Sequence, residues 1–322
     1  MNIYLTYDYE LYFGTTTGTV HDCLLSPTSQ LLNIANSNNA KITLFVDAGF
    51  LYQLHAHIST YPQLKTEYDL IIQQLQQADN TGHAIQLHVH PHWEDSYYNG
   101  TQWIMQTNRY KLADFTTTEA QAIVIKYHAA LQTCITTPIT AFRAGGWCAQ
   151  PFAHFSAALL QLNITTDSSV FVGGKNTISP YQYDYTLAPS TNSYNFDTDI
   201  IISTTQGTFT ELPIAAYKYS PLFYWNLFVR GRLNPTQHKP IGNGKPIAQA
   251  GDKMKFLTKG MLFCACADGY YASKLPTLIK QHNNMQHFVI IGHPKAQTNY
   301  SLQATNALIK QYAHAHHFVA MR

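Results

Sequence analysis

Polar and apolar residues alternate from Ile3 to Asp8, with Ile3, Leu5 and Tyr7 on one face and Tyr4, Thr6, Asp8 and then Glu10 on the other. That is the period of a strand. In SPTSQLLNIA, Ser26 is placed to cap a helix and Pro27 to occupy its first position. KITLFVDAG, from Lys41, reads as a buried strand, and Leu64, Tyr68, Ile71, Ile72 and Leu75 mark one helix face that ends before Gly82. A strand follows from Ala84 to His90. The run TTTEAQAIVIKYHAAL opens on a capping box, Thr116 to Glu119, and ITAFRAGGW, from Ile139, is a strand ending in a glycine turn. Phe152, Phe155, Leu159 and Leu162 form a further helix stripe. HFVIIGH, from His287, is a strand; Leu302, Thr305, Leu308, Ile309 and Tyr312 are a helix face; HFVAM is the last strand. Alternation of this kind predicts a mostly parallel sheet covered by helices. From about 181 to 260 the rhythm breaks, with a hairpin turning near Gln206 and Gly207 and a Gly/Pro/Lys loop, HKPIGNGKPIAQAG.

A length of 322 residues admits two average domains or one large α/β barrel, and neither a repeat nor a linker divides the chain. The formal net charge is +2, which lacks the basic footprint of a nucleic-acid partner. Only 12% of residues are charged, so Asn, Gln, Ser, Thr, Tyr and His carry much of the polarity, as suits a neutral polar ligand such as sugar. MNIYLTYDYE enters the first strand without a signal-like stretch, and the expectation is a cytoplasmic protein. The apolar run PLFYWNLFV, Pro221 to Val229, falls well short of the ~20 residues of a membrane span and reads as core or a pocket wall. Five scattered cysteines are expected to be free thiols.

Polar groups gather at predicted strand ends: Asp8 and Glu10 after the first, His88 to His92 after the third, Arg143 after a later one, His293 after the last long one. In a parallel barrel such ends converge on one mouth. GHAIQLHVHPHW, residues 82–93, packs four histidines into twelve positions, and neutral imidazole is the commonest metal ligand. On a continuous strand His88 and His90 share a face, whereas residues four apart lie ~13 Å apart. Pro91 breaks the strand, so a tight turn could also return His92 toward His88. Both pairings remain open. GNGK, Gly242 to Lys245, could cradle a phosphate, Trp93, Tyr97, Tyr98, Trp103, Tyr217, Tyr219 and Trp225 could include sugar platforms, and His83, His282, His314, His316 and His317 are assigned to the surface.

GHAIQLHVHPH resembles the GHEIGNHTxxH motif of the polysaccharide deacetylases, the NodB-type carbohydrate esterases of family four, in which a His-x-x-x-His pair binds a divalent metal. LTYDYE resembles the Thr-Phe-Asp-Asp-Gly motif, FRAGGW the Arg-x-Pro-aromatic motif, ITTDSSVF the fourth motif, and IIGHP the Leu-x-His motif; the matches run in family order from residue 5 to 294. DYELYFG, HVHPHWEDSYY, FRAGGWCAQPF and IIGHPKA are most similar to the WbmS-like branch, associated with bacterial surface-polysaccharide biosynthesis. The resemblance implies a distorted (β/α)7-type barrel over residues 1–322, with 181–260 as an insertion containing the hairpin. It implies a metal-dependent N-deacetylase acting on an N-acetylated sugar, a nucleotide- or lipid-linked precursor, with Zn or else Co, Ni or Mn. Its ligands would be His88 and His92, with Glu10 replacing the second aspartate of the family, where this chain has Tyr9. Asp8 would be the base, Arg143 its orienting partner, His293 the acid, and Asp167 a partner of His293 or Arg143 or a structural cap; Asp8 and Glu10 could exchange roles. Trp147, Trp93 and His90 would meet the substrate. A C–N hydrolase of a non-sugar amide and an inactive carbohydrate-binding barrel are the competing readings, and no oligomeric state is implied.

Overall fold

The two faces of the first strand, β1 (Asn2–Tyr9), go to two different cores. Ile3, Leu5 and Tyr7 join the large cluster between sheet and helices, while Tyr4 joins a smaller one with Phe45, Ala141, Val289 and Ile291. A strand buried on both sides is what a parallel sheet rolled around its own interior requires. A computed structural model describes residues 1–247 and 253–322. It contains, in chain order, β2 (Ile42–Asp47), β3 (Ala84–Val89), β4 (Ala141–Ala144), β5 (Thr166–Asp167), β6 (Tyr194–Phe196), β7 (Phe209–Glu211), β8 (Ala216–Tyr219), β9 (Met261–Cys264), β10 (His287–Gly292) and β11 (His317–Phe318), with two short two-stranded ribbons besides.

Nine of these strands form one sheet in the order β6-β7-β5-β4-β3-β2-β1-β10, with β11 beside the start of β1. Every pairing in it is parallel except β6–β7. Single bridges, Phe171–Ile214, Ile214–Val289 and Cys266–Ile291, draw the segments after β7 and β9 toward β10. The sheet therefore curls into a distorted barrel. Helices α1 (Ser26–Ser37), α2 (Ala48–His57), α3 (Leu64–Asn80), α4 (Thr117–Gln132) and α5 (Ser156–Gln161) follow strands in turn; α6 (Pro221–Leu233), α7 (Pro235–His238) and α8 (Lys253–Lys259) lie between β8 and β9; α9 (Leu275–Gln281) and α10 (Asn299–Tyr312) flank β10. At the base, Met321 accepts from Gln86 and donates to Thr43, so the C-terminal segment plugs the interior.

The Thr116–Glu119 capping box forms as the sequence predicts. Ser26 does not cap, because a helical turn at His21–Leu25 runs straight into α1. The predicted hairpin is shifted: its first strand is Tyr194–Phe196 and the Asp199–Ile202 stretch lies in the turn, where Asp199 accepts from the Ile201 amide. Its second strand pairs with β5 inside the main sheet. His83 is buried, not surface-exposed; Nδ1 accepts from the Ile42 amide, and burial pushes its pKa down to about 4. The loop 238–251 falls partly outside the described residues. Its GNGK portion is packed on the Tyr12–Thr19 loop, with the Gly242 amide on the Lys295 carbonyl and the Lys245 amide on the Thr16 carbonyl, so those donors are already used. All five cysteines are free.

Glu211 on β7 stands in register with Asp167 on β5, both fully buried. Burial raises the Glu211 pKa well above the usual carboxylate range and the Asp167 carboxyl raises it further; burial also raises Asp167. A carboxyl raised in the folded state stabilises the fold fully below its unfolded value and loses that contribution as pH climbs through the folded value. Above ~4.3 the wild-type protein should lose up to about 1.4 kcal/mol per pH unit from this group, a loss that Glu211→Gln removes. Urea midpoints across pH read the difference; parallel profiles for the two proteins would contradict it.

Candidate functional site

Thr6, Asp8 and Glu10 alternate along one face of β1 and the residue beyond it, so all three reach the same end of the barrel. Register brings Asp47 of β2, His88 of β3 and Arg143 of β4 alongside. Arg143 is 1% exposed and spends its fork on four bonds: Nη1 to Asp8 Oδ1 (2.6 Å), Nη2 to Thr6 Oγ1 (3.0 Å) and Ser168 Oγ (3.0 Å), Nε to the Ser168 carbonyl (2.8 Å). Its guanidinium also covers the Phe45 ring at 4.1 Å. Asp8 is thereby fixed through one oxygen, and the other, Oδ2, lies 3.8 Å from both His88 Nε2 and His293 Nε2.

The histidine strand brings His88 and His90 together at the barrel mouth. His90 continues the extended backbone before the Pro91–Glu94 turn, so its ring falls on the same face as that of His88. Their Nε2 atoms are 3.1 Å apart, and Glu10 Oε2 lies 3.2 Å from His88 and 2.6 Å from His90. A methyl group at Gly145 would sit 2.5 Å from His90 Nδ1, so the side-chain-free position after Ala144 makes room for this ring. His92 lies beside His90, ring centroids 5.3 Å apart, but outside the group that Glu10 joins. Phe13 and Tyr110 pack on both rings, and neither nitrogen of His92 has a hydrogen-bond partner among the described residues. Glu10, His88 and His90 are the group that the geometry brings together as possible metal ligands.

The donor chemistry of that group fits a metal. The Arg143 carbonyl can only accept, so its 2.9 Å contact with His88 Nδ1 places the ring proton there and turns a lone pair of Nε2 toward Glu10. His90 Nε2 and the Glu10 carboxylate face the same point, and such a cluster calls for a proton or a divalent cation at its centre. Burial lowers His90 to about 4 despite Glu10, and burial together with His90 holds His92 well below the ordinary histidine value. Burial also works against the charge on His88, but Asp8, Glu10 and Asp47 outweigh it and raise its pKa. Glu10 is pulled well below the carboxylate range: burial opposes this, and Lys295 and His90 prevail.

Two contributors escaped the sequence reading. Lys295 Nζ donates to Glu10 Oε1 at 2.9 Å and to the Leu11 carbonyl at 2.5 Å, which leaves Oε2 directed at the histidines. Asp268 receives His293 twice, through the amide and through Nδ1, each at 2.7 Å. His293 Nε2 is thus turned into the site, 3.8 Å from Asp8 Oδ2 and from Glu10 Oε1. Burial disfavours its charge, yet Asp268 raises its pKa, with Asp8 and Glu10 adding to the rise. Asp268 follows the MLFCACA run just as Asp8 follows the alternation of β1, a signal that was available. Asp167 is not in contact with His293; its carboxylate accepts from the Ser169 amide and hydroxyl beneath Arg143.

Above these groups opens a cleft of about 1010 Å³. Trp147 forms part of its wall, in the left-handed region at φ 61°, against Phe171, Tyr183 and Phe263. His90 also lines it. Trp93 does not: it is 0% exposed, donates to Asp47 Oδ2 at 2.6 Å and packs on Phe50 and Trp103.

No family model matches the chain, and no curated protein matches it. Among solved structures, one assigned as a polysaccharide deacetylase from Mycobacterium smegmatis is similar over 99% of this chain and 87% of its own, with TM-score 0.51 and 13% identity. The likeness is one of fold. Further matches are the Bacillus cereus polysaccharide deacetylase Bc1974 (TM-score 0.42, 12% identity, 100% of this chain and 92% of that one) and the Thermococcus kodakaraensis branching enzyme TK1436 (0.49, 9%, 99% and 70%). The curled α/β sheet is therefore a distorted barrel of the deacetylase kind.

Proposed function

We propose that this chain is a metal-dependent N-deacetylase that hydrolyses the acetamido group of an N-acetylated sugar. One observation carries the reading: a Glu10–His88–His90 group, an Arg143-held carboxylate and an Asp268-held imidazole share one barrel mouth. Glu10, His88 and His90 would hold the cation, and a divalent metal there polarises an amide carbonyl and makes water acidic near neutral pH. Asp8 Oδ2 takes the proton from the attacking water, with Arg143 fixing the opposite oxygen. His293 Nε2 gives a proton to the leaving nitrogen, so water is added across the C–N bond and acetate and a free amine result. Trp147 supplies an aromatic wall for the sugar ring. Lys218, Lys255 and Lys259 also line the cleft and suit a phosphate-bearing carrier, nucleotide- or lipid-linked, as in surface-polysaccharide synthesis.

The test is acetate release by the metal-analysed protein from nucleotide- and lipid-linked N-acetylhexosamines. A protein with stoichiometric metal that releases no acetate from any of them, yet binds glycan, would overturn the reading. Asp268→Asn provides a sharper check on the acid. Its carboxylate raises the His293 pKa, so removing that charge lowers it, and the protonated form is lost at lower pH. The alkaline limb of the kcat profile should move toward acid, with a loss of ~10–100-fold at the original optimum, as for other orienting partners. An unmoved limb assigns the proton to another group.

A further inference from the structure

The segment from Leu212 to Ala267 concentrates two properties. It holds eight of the 20 basic side chains and one of the 18 acids, Asp252. It also carries half of the large apolar side chains that stand exposed among the described residues, four of them on α6. The inner face of α6 is covered: Phe223 and Tyr224 are buried against Tyr219, Phe256, Tyr270 and Tyr271. Its outer face is Leu222, Trp225, Val229 and Leu233, exposed by 70%, 52%, 46% and 80%. Offsets of three, four and four residues set these in one stripe. Arg230 and Arg232 fall on opposite flanks of it. Among the described residues, nothing covers the second apolar side of this helix.

We propose that α6 docks this protein on an anionic phospholipid surface. The stripe would sit at the acyl boundary, with Arg230, Arg232 and the neighbouring lysines among the headgroups, the arrangement of an interfacial helix. At 13 residues, about 20 Å, the helix is too short to span a bilayer. Charge decides the occupant. A second copy meeting this face would set one strongly basic segment against another, and a nucleic acid would satisfy the cations but leave the apolar stripe in water. A bilayer with anionic headgroups satisfies both. Docking would also set the catalytic cleft beside the lipid, since Trp225 donates to the Leu257 carbonyl of α8 at 3.2 Å and α8 lines the cleft through Lys255, Phe256 and Lys259. The docking itself stands apart from the hydrolytic reading.

The test is co-sedimentation of the full chain with vesicles of phosphatidylcholine alone or mixed with phosphatidylglycerol, at low and high salt. Binding should favour the mixed vesicles by at least ~10-fold and weaken with salt. Leu222→Ser/Val229→Ser/Leu233→Ser should lose binding while keeping the wild-type thermal melt, and Arg230→Gln/Arg232→Gln should weaken it by ~30-fold. Absence of binding to the mixed vesicles, or undiminished binding by both variants, overturns the proposal. So does a concentration-dependent dimer that the serine variant abolishes, which would make a second copy the partner. Acetate release from a freely soluble substrate is measured in parallel: lost docking with retained release, or the reverse, separates this inference from the hydrolytic one.

Discussion

His90→Ala is expected to purify without its divalent metal and to release acetate at least ~10³-fold more slowly, beyond the 10–100-fold typical of an outer partner. His92→Ala is expected to keep the metal. The contrast follows from geometry: His90 Nε2 lies 2.6 Å from Glu10 and 3.1 Å from His88 Nε2, whereas neither nitrogen of His92 meets a polar partner among the described residues and its ring packs on Phe13 and Tyr110. Losing His92 opens an aromatic cavity, so its cost should appear as stability, ~2–4 kcal/mol in a urea melt, and not as metal content. His88→Ala should match His90→Ala in both readouts. The measurement is metal per chain by mass spectrometry beside acetate release. If His92→Ala loses metal and His90→Ala retains it, the His-x-x-x-His pairing implied by family resemblance is correct and the ligand group drawn from this geometry is not.

Much of the frame is legible in the sequence because it depends on period and burial alone. Alternation in β1 assigns Thr6, Asp8 and Glu10 to one face, and in a parallel barrel that face must reach the same mouth as His88, Arg143 and His293. What resists reading are the choices made by turns and closure. Whether Pro91 returns His92 to the strand end depends on its packing with Phe13, from a loop far earlier in the chain, and with Tyr110, from the loop that follows, neither of which strand periodicity reports. The hairpin's shift has a similar origin, since β7 pairs with β5 and this fixes which residues of the preceding segment can face it. Barrel closure by isolated bridges through Ile214 and Cys266 leaves no strand-length pattern to find. In PLFYWNLFV the apolar content predicts burial, whereas one side of the helix is exposed; composition counts both faces and cannot say which one is covered. Lys295 was hidden by type, because a lysine two residues after His293 reads as surface until Glu10 and the Leu11 carbonyl are seen to hold it.

Arg143→Met should cost ~3–5 kcal/mol of stability, because it leaves Asp8 buried without its cation. The loss is large against a total of ~5–15 kcal/mol. Four hydrogen bonds and the contact with Phe45 disappear together, and Thr6 and Ser168 lose the donor they share. Arg143→Lys should recover only part, since an ammonium lacks the planar fork that reaches Asp8 and Ser168 at once. The decisive comparison is with Asp8. Asp8→Asn keeps the shape but leaves the Arg143 cation buried without its counter-charge. It should lose stability too, though less than Arg143→Met because the amide oxygen still accepts from Nη1, while losing ~10²–10⁴-fold in acetate release, as removal of a general base does. In the double variant Asp8→Asn/Arg143→Met, the buried carboxylate is gone, so stability should rise above that of Arg143→Met alone. Urea denaturation of the four proteins closes the cycle. A coupling near zero would mean that Arg143 holds the strand ends through Ser168 and Thr6, with Asp8 oriented by the histidines instead.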